Sequence, residues 1–181
     1  IIMSDSFMNS LPIPVSNLEF KNNVSIKFNN ILDGFNEFKN FTLDGNLVEN
    51  SELSLINFIC DVFKENNNEC YVDFYINKID RSEKDNLLNL IDKEYKSLLQ
   101  QIINMNHDDV YYKITDINLI PFFTTLNTRE IFFVTFYFTK KPITIWGNYN
   151  FKFPCFFDNP DAFNYFYNIA KNYNFIKIQQ F

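Results

Sequence analysis

The chain has 181 residues, of which 46% are hydrophobic and 21% charged, and its formal net charge is −6 at pH 7. The hydrophobic share excludes a disordered chain, and the length suits one domain with a core of its own. Nucleic-acid and anionic-membrane binding depend on dense lysine and arginine, so we expect neither a nucleic-acid nor a membrane partner.

The N-terminal residues differ from the rest of the chain. Residues 1–16 combine serine, asparagine and two prolines without periodicity, which predicts a flexible N-terminal arm. Residues 17–181 are predicted to form a single α+β domain. Within it, residues 18–28 alternate in part between apolar and polar side chains, which predicts a strand, and residues 31–38 are predicted to form a short helix.

Two helices are predicted on either side of a short strand. The first covers residues 51–65, where apolar side chains recur at helical spacing before the asparagine run 66–68 ends it. The second covers residues 82–105 with Ser82 as its N-cap, and its apolar stripe is wide enough to indicate packing against a sheet. The strand between them has two different faces, with Cys70, Val72, Phe74 and Ile76 on one and Tyr71, Asp73 and Tyr75 on the other.

Residues 130–157 are predicted to form a three-stranded antiparallel meander. Residues 131–138 are apolar at every position but one, as in a central strand that is covered on both faces. Turns then separate it from two further predicted strands, residues 143–146 and 151–157.

The last predicted helix covers residues 160–173. Asn159 is its expected N-cap, and Pro160 suits the first helical position because the backbone N–H that proline lacks has no intrahelical acceptor there. The predicted class is therefore α+β: one mixed or antiparallel sheet packed by two or three helices.

Common catalytic and cofactor-binding patterns are missing from the sequence. The three glycines are isolated, so no phosphate-binding glycine loop is present. Cys60, Cys70 and Cys155 fall at apolar positions without a C-x-x-C pair, which is typical of reduced, buried thiols in a cytoplasm. We therefore expect no cofactor, no metal and a cytoplasmic location.

The single histidine, His107, stands beside Asp108 and Asp109 after the long predicted helix. These three residues could bind a cation or transfer protons. We favour the other interpretation, a solvated helix end at which the histidine interacts with the negative end of the helix dipole.

Five residues are candidate binding residues. Asp73 between Tyr71 and Tyr75 would form a polar patch with aromatic walls, although a solvated strand face is the favoured interpretation of this pattern. Trp146 and Tyr149 flank a predicted turn, where large, stiff side chains bind a protein partner well. Trp146 would fit equally well in the core.

Three functions remain open. The favoured one is a non-catalytic binding protein of the bacterial toxin-immunity type, whose acidic surface and aromatic side chains neutralise a protein partner such as a basic toxin domain. The second is a small-ligand-binding protein or enzyme with an aromatic-lined pocket, to which Asp73, His107 or Asp116 would contribute. The third is a structural or assembly subunit with residues 131–138 in an oligomer interface. No feature of the sequence selects an oligomeric state.

Overall fold

In the computed structural model, which describes residues 10–176, seven strands form one sheet in which all neighbouring strands are antiparallel. The strands are β1 (Ile13–Val15), β2 (Lys39–Asp44), β3 (Cys70–Asp73), β4 (Tyr111–Ile114), β5 (Thr135–Phe138), β6 (Ile143–Ile145) and β7 (Lys152–Phe157). Their order across the sheet is β1-β4-β3-β5-β6-β7-β2. The chain is therefore an α+β domain, and its sheet is antiparallel.

Helices pack on this sheet. Those in the described residues are α1 (Asn17–Asn23), α2 (Ile31–Glu37), α3 (Ser51–Glu65), α4 (Arg81–Leu90), α5 (Lys96–Ile103), α6 (Leu119–Thr128) and α7 (Pro160–Asn172). The predictions for α3 and α7 are confirmed to within one residue at each end. The Asn159 side chain caps α7 as predicted, since its Oδ1 accepts the Asp161 N–H at 2.8 Å and the Ala162 N–H at 3.2 Å.

The flexible arm is predicted over residues 1–16, of which residues 1–9 lie outside the part that the structure describes. Residues 13–15 form β1, which pairs with β4 at the sheet edge. Ser16 then caps α1, because its hydroxyl accepts the Glu19 N–H at 3.1 Å. The strand predicted over residues 18–28 is wrong, since that segment is a helix followed by a loop.

The long helix predicted over residues 82–105 is broken in the structure. It consists of α4, the 3-10 turn Lys93–Tyr95 and α5, because Ile91 and Asp92 adopt extended backbone with ψ of 159° and 144°. Asp80, not Ser82, caps α4, and it exchanges hydrogen bonds with Glu83 in a capping box. The break allows Asp92 to reach Arg129 at 2.8 Å, a contact that an uninterrupted helix would not favour.

Strands β5, β6 and β7 are neighbours in chain order, but β5 begins at Thr135 rather than at residue 131. The preceding residues close the end of α6 instead, because the N–H groups of Ile131 and Phe132 both donate to the Leu126 carbonyl. All four residues of β5 are buried within the chain. Within the apolar segment 131–138, residues 134–138 are buried inside the chain, whereas residues 131–133 are partly exposed.

The two faces of the sheet carry different clusters. The larger core contains Val72 of β3 and Phe136 of β5, together with the buried faces of α3, α5, α6 and α7. Tyr71 and Tyr137, which adjoin Val72 and Phe136 in the sequence, point to the opposite face of the sheet. There a smaller cluster forms under α1 and the loop after it. This smaller cluster consists of Val15, Phe20, Val24, Tyr71 and Tyr137, with Tyr111 packed against it.

Candidate functional site

Asp73 is the last residue of β3 and lies at the border of the smaller cluster. It stands opposite Tyr111 of β4 on one side and opposite Thr135 of β5 on the other. Its Oδ1 accepts the Thr135 N–H at 2.6 Å, and its Oδ2 accepts the Tyr137 hydroxyl at 3.3 Å. The side chain is partly buried. Along this face of β3 and the turn after it, exposure rises from the buried Tyr71 through the partly buried Asp73 to Tyr75, which is 47% exposed.

The charge of Asp73 has no counter-charge in the part of the chain that the structure describes. Both of its hydrogen-bond donors are neutral, and none of the ion pairs within residues 10–176 includes it. Burial raises the pKa of Asp73 to about 6, although the hydrogen bonds from Thr135 and Tyr137 lower it. At pH 7 the group is thus largely ionised and electrostatically uncompensated.

Tyrosine rings border the carboxylate. Tyr75, in the 3-10 turn Tyr75–Lys78, is 47% exposed, and the charge of Asp73 adds to burial in raising its pKa. The pKa of Tyr111 rises to about 12, first through burial and then through the nearness of Tyr75, Asp73 and Asp109. We call Asp73, Tyr75, Tyr111, Thr135 and Tyr137 the Asp73 cluster.

Packing beneath the cluster fixes its rings. Phe20 of α1 stacks on Tyr111 with 3.7 Å between ring centroids and a 5° angle between the planes, and it meets Tyr137 edge-on at 4.9 Å. Tyr71 is 3% exposed and also meets Phe20 edge-on, at 6.2 Å. Tyr71 is therefore a core residue beneath α1 and not the exposed wall that the sequence predicted.

Trp146 and Tyr149 lie elsewhere. Trp146 is partly buried and stacks on Phe28, with 5.2 Å between the ring centroids and a 17° interplanar angle. Tyr149 is 60% exposed, and its ring meets Phe133 edge-on at 4.6 Å. A Cβ on the buried Gly147 between them would collide with the Asn127 side chain and the Val134 carbonyl, which explains why glycine stands at this turn. Of the five predicted residues, Asp73 and Tyr75 belong to the Asp73 cluster, and Tyr71 lies in the smaller core cluster beside it.

His107, Asp108 and Asp109 make three separate local contacts. His107 Nε2 lies 2.9 Å from the Tyr111 carbonyl, the Asp108 carbonyl accepts the Lys78 ammonium at 2.9 Å, and Asp109 accepts the Asn17 N–H at 2.8 Å. Across residues 10–176, no group of three or more His, Cys, Asp or Glu side chains is arranged to hold a metal ion.

A shallow depression of about 410 Å³ lies at the other end of the sheet, and its lining includes Thr42, Asp44, Leu47, Lys152, Phe175 and Ile176. Asp73, His107 and Asp116, the polar groups expected in an aromatic-lined pocket, are not among these residues. A search of the described helices for a membrane-crossing segment found none of sufficient length and apolar character.

Sequence reasoning missed three residues around Asp73, namely Tyr111, Thr135 and Tyr137, and it considered Asp109 only together with His107. The signal available for Tyr111 and Tyr137 is their alternation within short strands, but pairing with β3 cannot be read from it. The fold is that of an α+β domain, and within residues 10–176 its antiparallel sheet carries a carboxylate that lies among tyrosines and has no ion-pair partner. Comparison with protein-family models, curated proteins and solved structures finds no significant match to the chain.

Proposed function

We propose that the chain is a non-catalytic binding protein that neutralises a protein partner in the cytoplasm, of the bacterial toxin-immunity type. The observation that carries the proposal is the Asp73 cluster. A carboxylate whose pKa is raised by burial destabilises the fold at neutral pH, so a role in binding gives a reason for its presence.

The charge of the molecule supports a basic partner. A net charge of −6 attracts a basic domain and repels an acidic one, which accelerates encounter and disfavours wrong partners. Close to the uncompensated carboxylate, Tyr75 exposes nearly half of its side chain. Tyrosine is frequent among the side chains that dominate binding energy, since it supplies a large contact area and loses little conformational freedom.

The cysteines support a reducing compartment. Cys60, Cys70 and Cys155 are all unpaired, and Cys70 and Cys155 are buried. Burial raises the pKa of both buried thiols well above the ordinary value, so they remain protonated and unreactive. Two buried, inert thiols are the pattern expected of a chain that folds where disulfides do not form.

The experiment is co-expression of the chain with the product of each gene adjacent to its own in the genome of origin. We expect one neighbour to stop growth when expressed alone and to be harmless when the chain is present. The purified pair should form a stoichiometric complex with a dissociation constant on the order of nanomolar.

Two surface variants make the test specific. Tyr75→Ala should weaken the complex, whereas Leu90→Ala should not, because Leu90 is a large side chain that is 65% exposed but lies at the end of α4, outside the Asp73 cluster. Growth arrest that persists when the chain is present, together with the absence of a complex on gel filtration, contradicts the proposal.

A further inference from the structure

We infer that the Asp73 cluster receives one cationic side chain, an arginine or a lysine, of the protein partner. This inference rests on the proposed function and identifies the chemical group by which the chain recognises its partner.

The charge of Asp73 favours a cationic ligand. Each oxygen of the Asp73 carboxylate accepts one hydrogen bond, from Thr135 or from Tyr137, and each retains acceptor capacity. Residues 10–176 supply no cation that pairs with it. A carboxylate that is partly withdrawn from water attracts a cation more strongly than an exposed one does. The missing component of the site is therefore a positive charge.

The tyrosines near Asp73 favour a cationic ligand as well. Tyr111, the residue opposite Asp73 in β4, is held in place by its stack on Phe20. Tyr75 is 47% exposed and lies close enough to Asp73 for the carboxylate charge to contribute to raising its pKa. Tyrosine faces carry negative potential and attract ammonium and guanidinium groups, and a guanidinium additionally stacks on a ring. A carboxylate with tyrosines beside it thus favours a cation over a neutral or anionic group.

The charged groups around the Asp73 cluster have partners of their own. Asp109, whose charge acts on Tyr111, is fixed by the Asn17 N–H and adds a second negative charge near the cluster. Lys78, the cation on the 3-10 turn that carries Tyr75, donates its ammonium to the Asp108 carbonyl. Lys113, two residues from Tyr111 in β4, pairs with Glu69 at 3.2 Å, so neither of these two lysines is engaged by Asp73.

The first experiment uses small probes. N-acetyl-arginine amide and N-acetyl-lysine amide are titrated into the folded chain at pH 7.5 while NMR follows the backbone amide of Thr135 and the ring of Tyr75. We expect saturable shifts with a dissociation constant on the order of millimolar for at least one of the two probes. N-acetyl-citrulline amide, which has the shape of arginine without its charge, should produce no saturable shift.

Two variants of equal charge make the titration specific. Asp73→Asn removes one negative charge at the cluster and should weaken probe binding about tenfold or more. Glu37→Gln removes one negative charge from the exposed surface of α2 and should change nothing. Equal shifts with citrulline amide, or equal weakening by both variants, overturns the inference.

The second experiment measures affinity for the partner identified by co-expression. Asp73→Asn should lower that affinity about thirtyfold or more, and Tyr75→Ala, which alters an exposed side chain and leaves the core intact, about fivefold or more. A partner that is neutralised and bound with unchanged affinity by both variants overturns the inference and leaves the proposed function standing. Saturable probe binding by a chain that neutralises no partner overturns both, because the site then serves a free cation.

Discussion

Two carboxylate sites of this molecule have opposite electrostatics. Glu52, at the start of α3, accepts hydrogen bonds from Arg129 Nε at 3.0 Å and Nη2 at 2.8 Å, and from the Thr128 hydroxyl at 2.6 Å. Arg129 Nη1 also binds Asp92 at 2.8 Å. We call Arg129, Glu52, Asp92 and Thr128 the Arg129 clamp. Asp73, by contrast, is held by neutral donors alone.

The pKa shifts of the two carboxylates run in opposite directions. Hydrogen bonds from Arg129 lower the pKa of Glu52 despite its partial burial, whereas burial raises the pKa of Asp73 to about 6. The Arg129 clamp connects the start of α3, the break between α4 and α5, and the end of α6, so it stabilises the fold. Because the pKa of Asp73 is raised, its ionised form is less favourable in the folded chain than its protonated form, which is the behaviour expected of a site kept for binding.

The largest expected effect is loss of the Arg129 clamp. Arg129→Met leaves Glu52 and Asp92 without their cation, and we expect the free energy of unfolding at pH 7 to fall by about 2 kcal/mol, because the clamp is only partly shielded from water. Urea unfolding measures this change. Lys96→Met, at an exposed position of α5, is the control and should lie within about 0.5 kcal/mol of the parent. Equal losses of stability from the two substitutions would show that the Arg129 clamp does not stabilise the fold, and its contrast with Asp73 would fail.

Asp73→Asn should raise the free energy of unfolding at neutral and alkaline pH, whereas Arg129→Met lowers it. The folded pKa of about 6 lies above the unfolded value of 3.8, so the parent chain loses stability as the pH rises through this interval and does not regain it above. The pKa shift is worth up to about 3 kcal/mol at pH 8, and asparagine returns part of it as a weaker acceptor for Thr135 and Tyr137, so we expect the variant to be more stable by about 1.5 kcal/mol at pH 8. This advantage should disappear at about pH 3, below both pKa values. Urea unfolding at both pH values measures the difference. A variant that is less stable at pH 8 would show that Asp73 supports the fold.

Removal of the Thr128 hydroxyl tests how far the Arg129 clamp acts as a unit. Thr128→Val should lower the free energy of unfolding by about 1 kcal/mol, because Glu52 loses one hydrogen-bond donor. Combined with Arg129→Met, it should cost less than the sum of the two single changes, since both act on the same carboxylate. Strict additivity in a double-mutant cycle would show that the two contacts are independent.

Tyr75→Ala should have the smallest effect on stability. The side chain is 47% exposed on a 3-10 turn, so the free energy of unfolding should change by less than about 0.5 kcal/mol while partner affinity falls. Thermal unfolding followed by circular dichroism measures the stability. A loss above about 1 kcal/mol would place Tyr75 in the core and not at a binding surface.

The elements that could be predicted from the sequence are those with strong local signals. Helix α7 has a capping asparagine and a proline in its first turn, and α3 has helical periodicity, so both can be predicted from neighbouring residues alone. The break after α4 could not be predicted, because the apolar stripe continues through it while the backbone of Ile91 and Asp92 is extended. The contact of Asp92 in this break is with Arg129, which is 37 residues away and is not visible in the local pattern.

The candidate site, too, could be predicted only as far as its local sequence pattern reaches. Alternation along residues 70–76 grouped Asp73 with Tyr71 and Tyr75, but in the structure Tyr71 is buried against Phe20 of α1 whereas Tyr75 is exposed. The burial of Asp73 depends on Thr135, which is 62 residues away, and on strands that flank β3 on both sides. Strand order is not encoded in the period of a single strand, so the charge environment of Asp73 is visible only in the fold.

The central claim is that Asp73 is an uncompensated, partly buried carboxylate, and its own titration tests this most directly. Carbon-detected NMR of the Asp73 side-chain carboxyl, assigned with the help of Asp73→Asn, gives the midpoint of its ionisation in the folded chain. We predict a midpoint at about 6, because burial disfavours the charged form. A midpoint below about 4 would show that a hidden counter-charge or full hydration already satisfies the carboxylate, and would contradict the account.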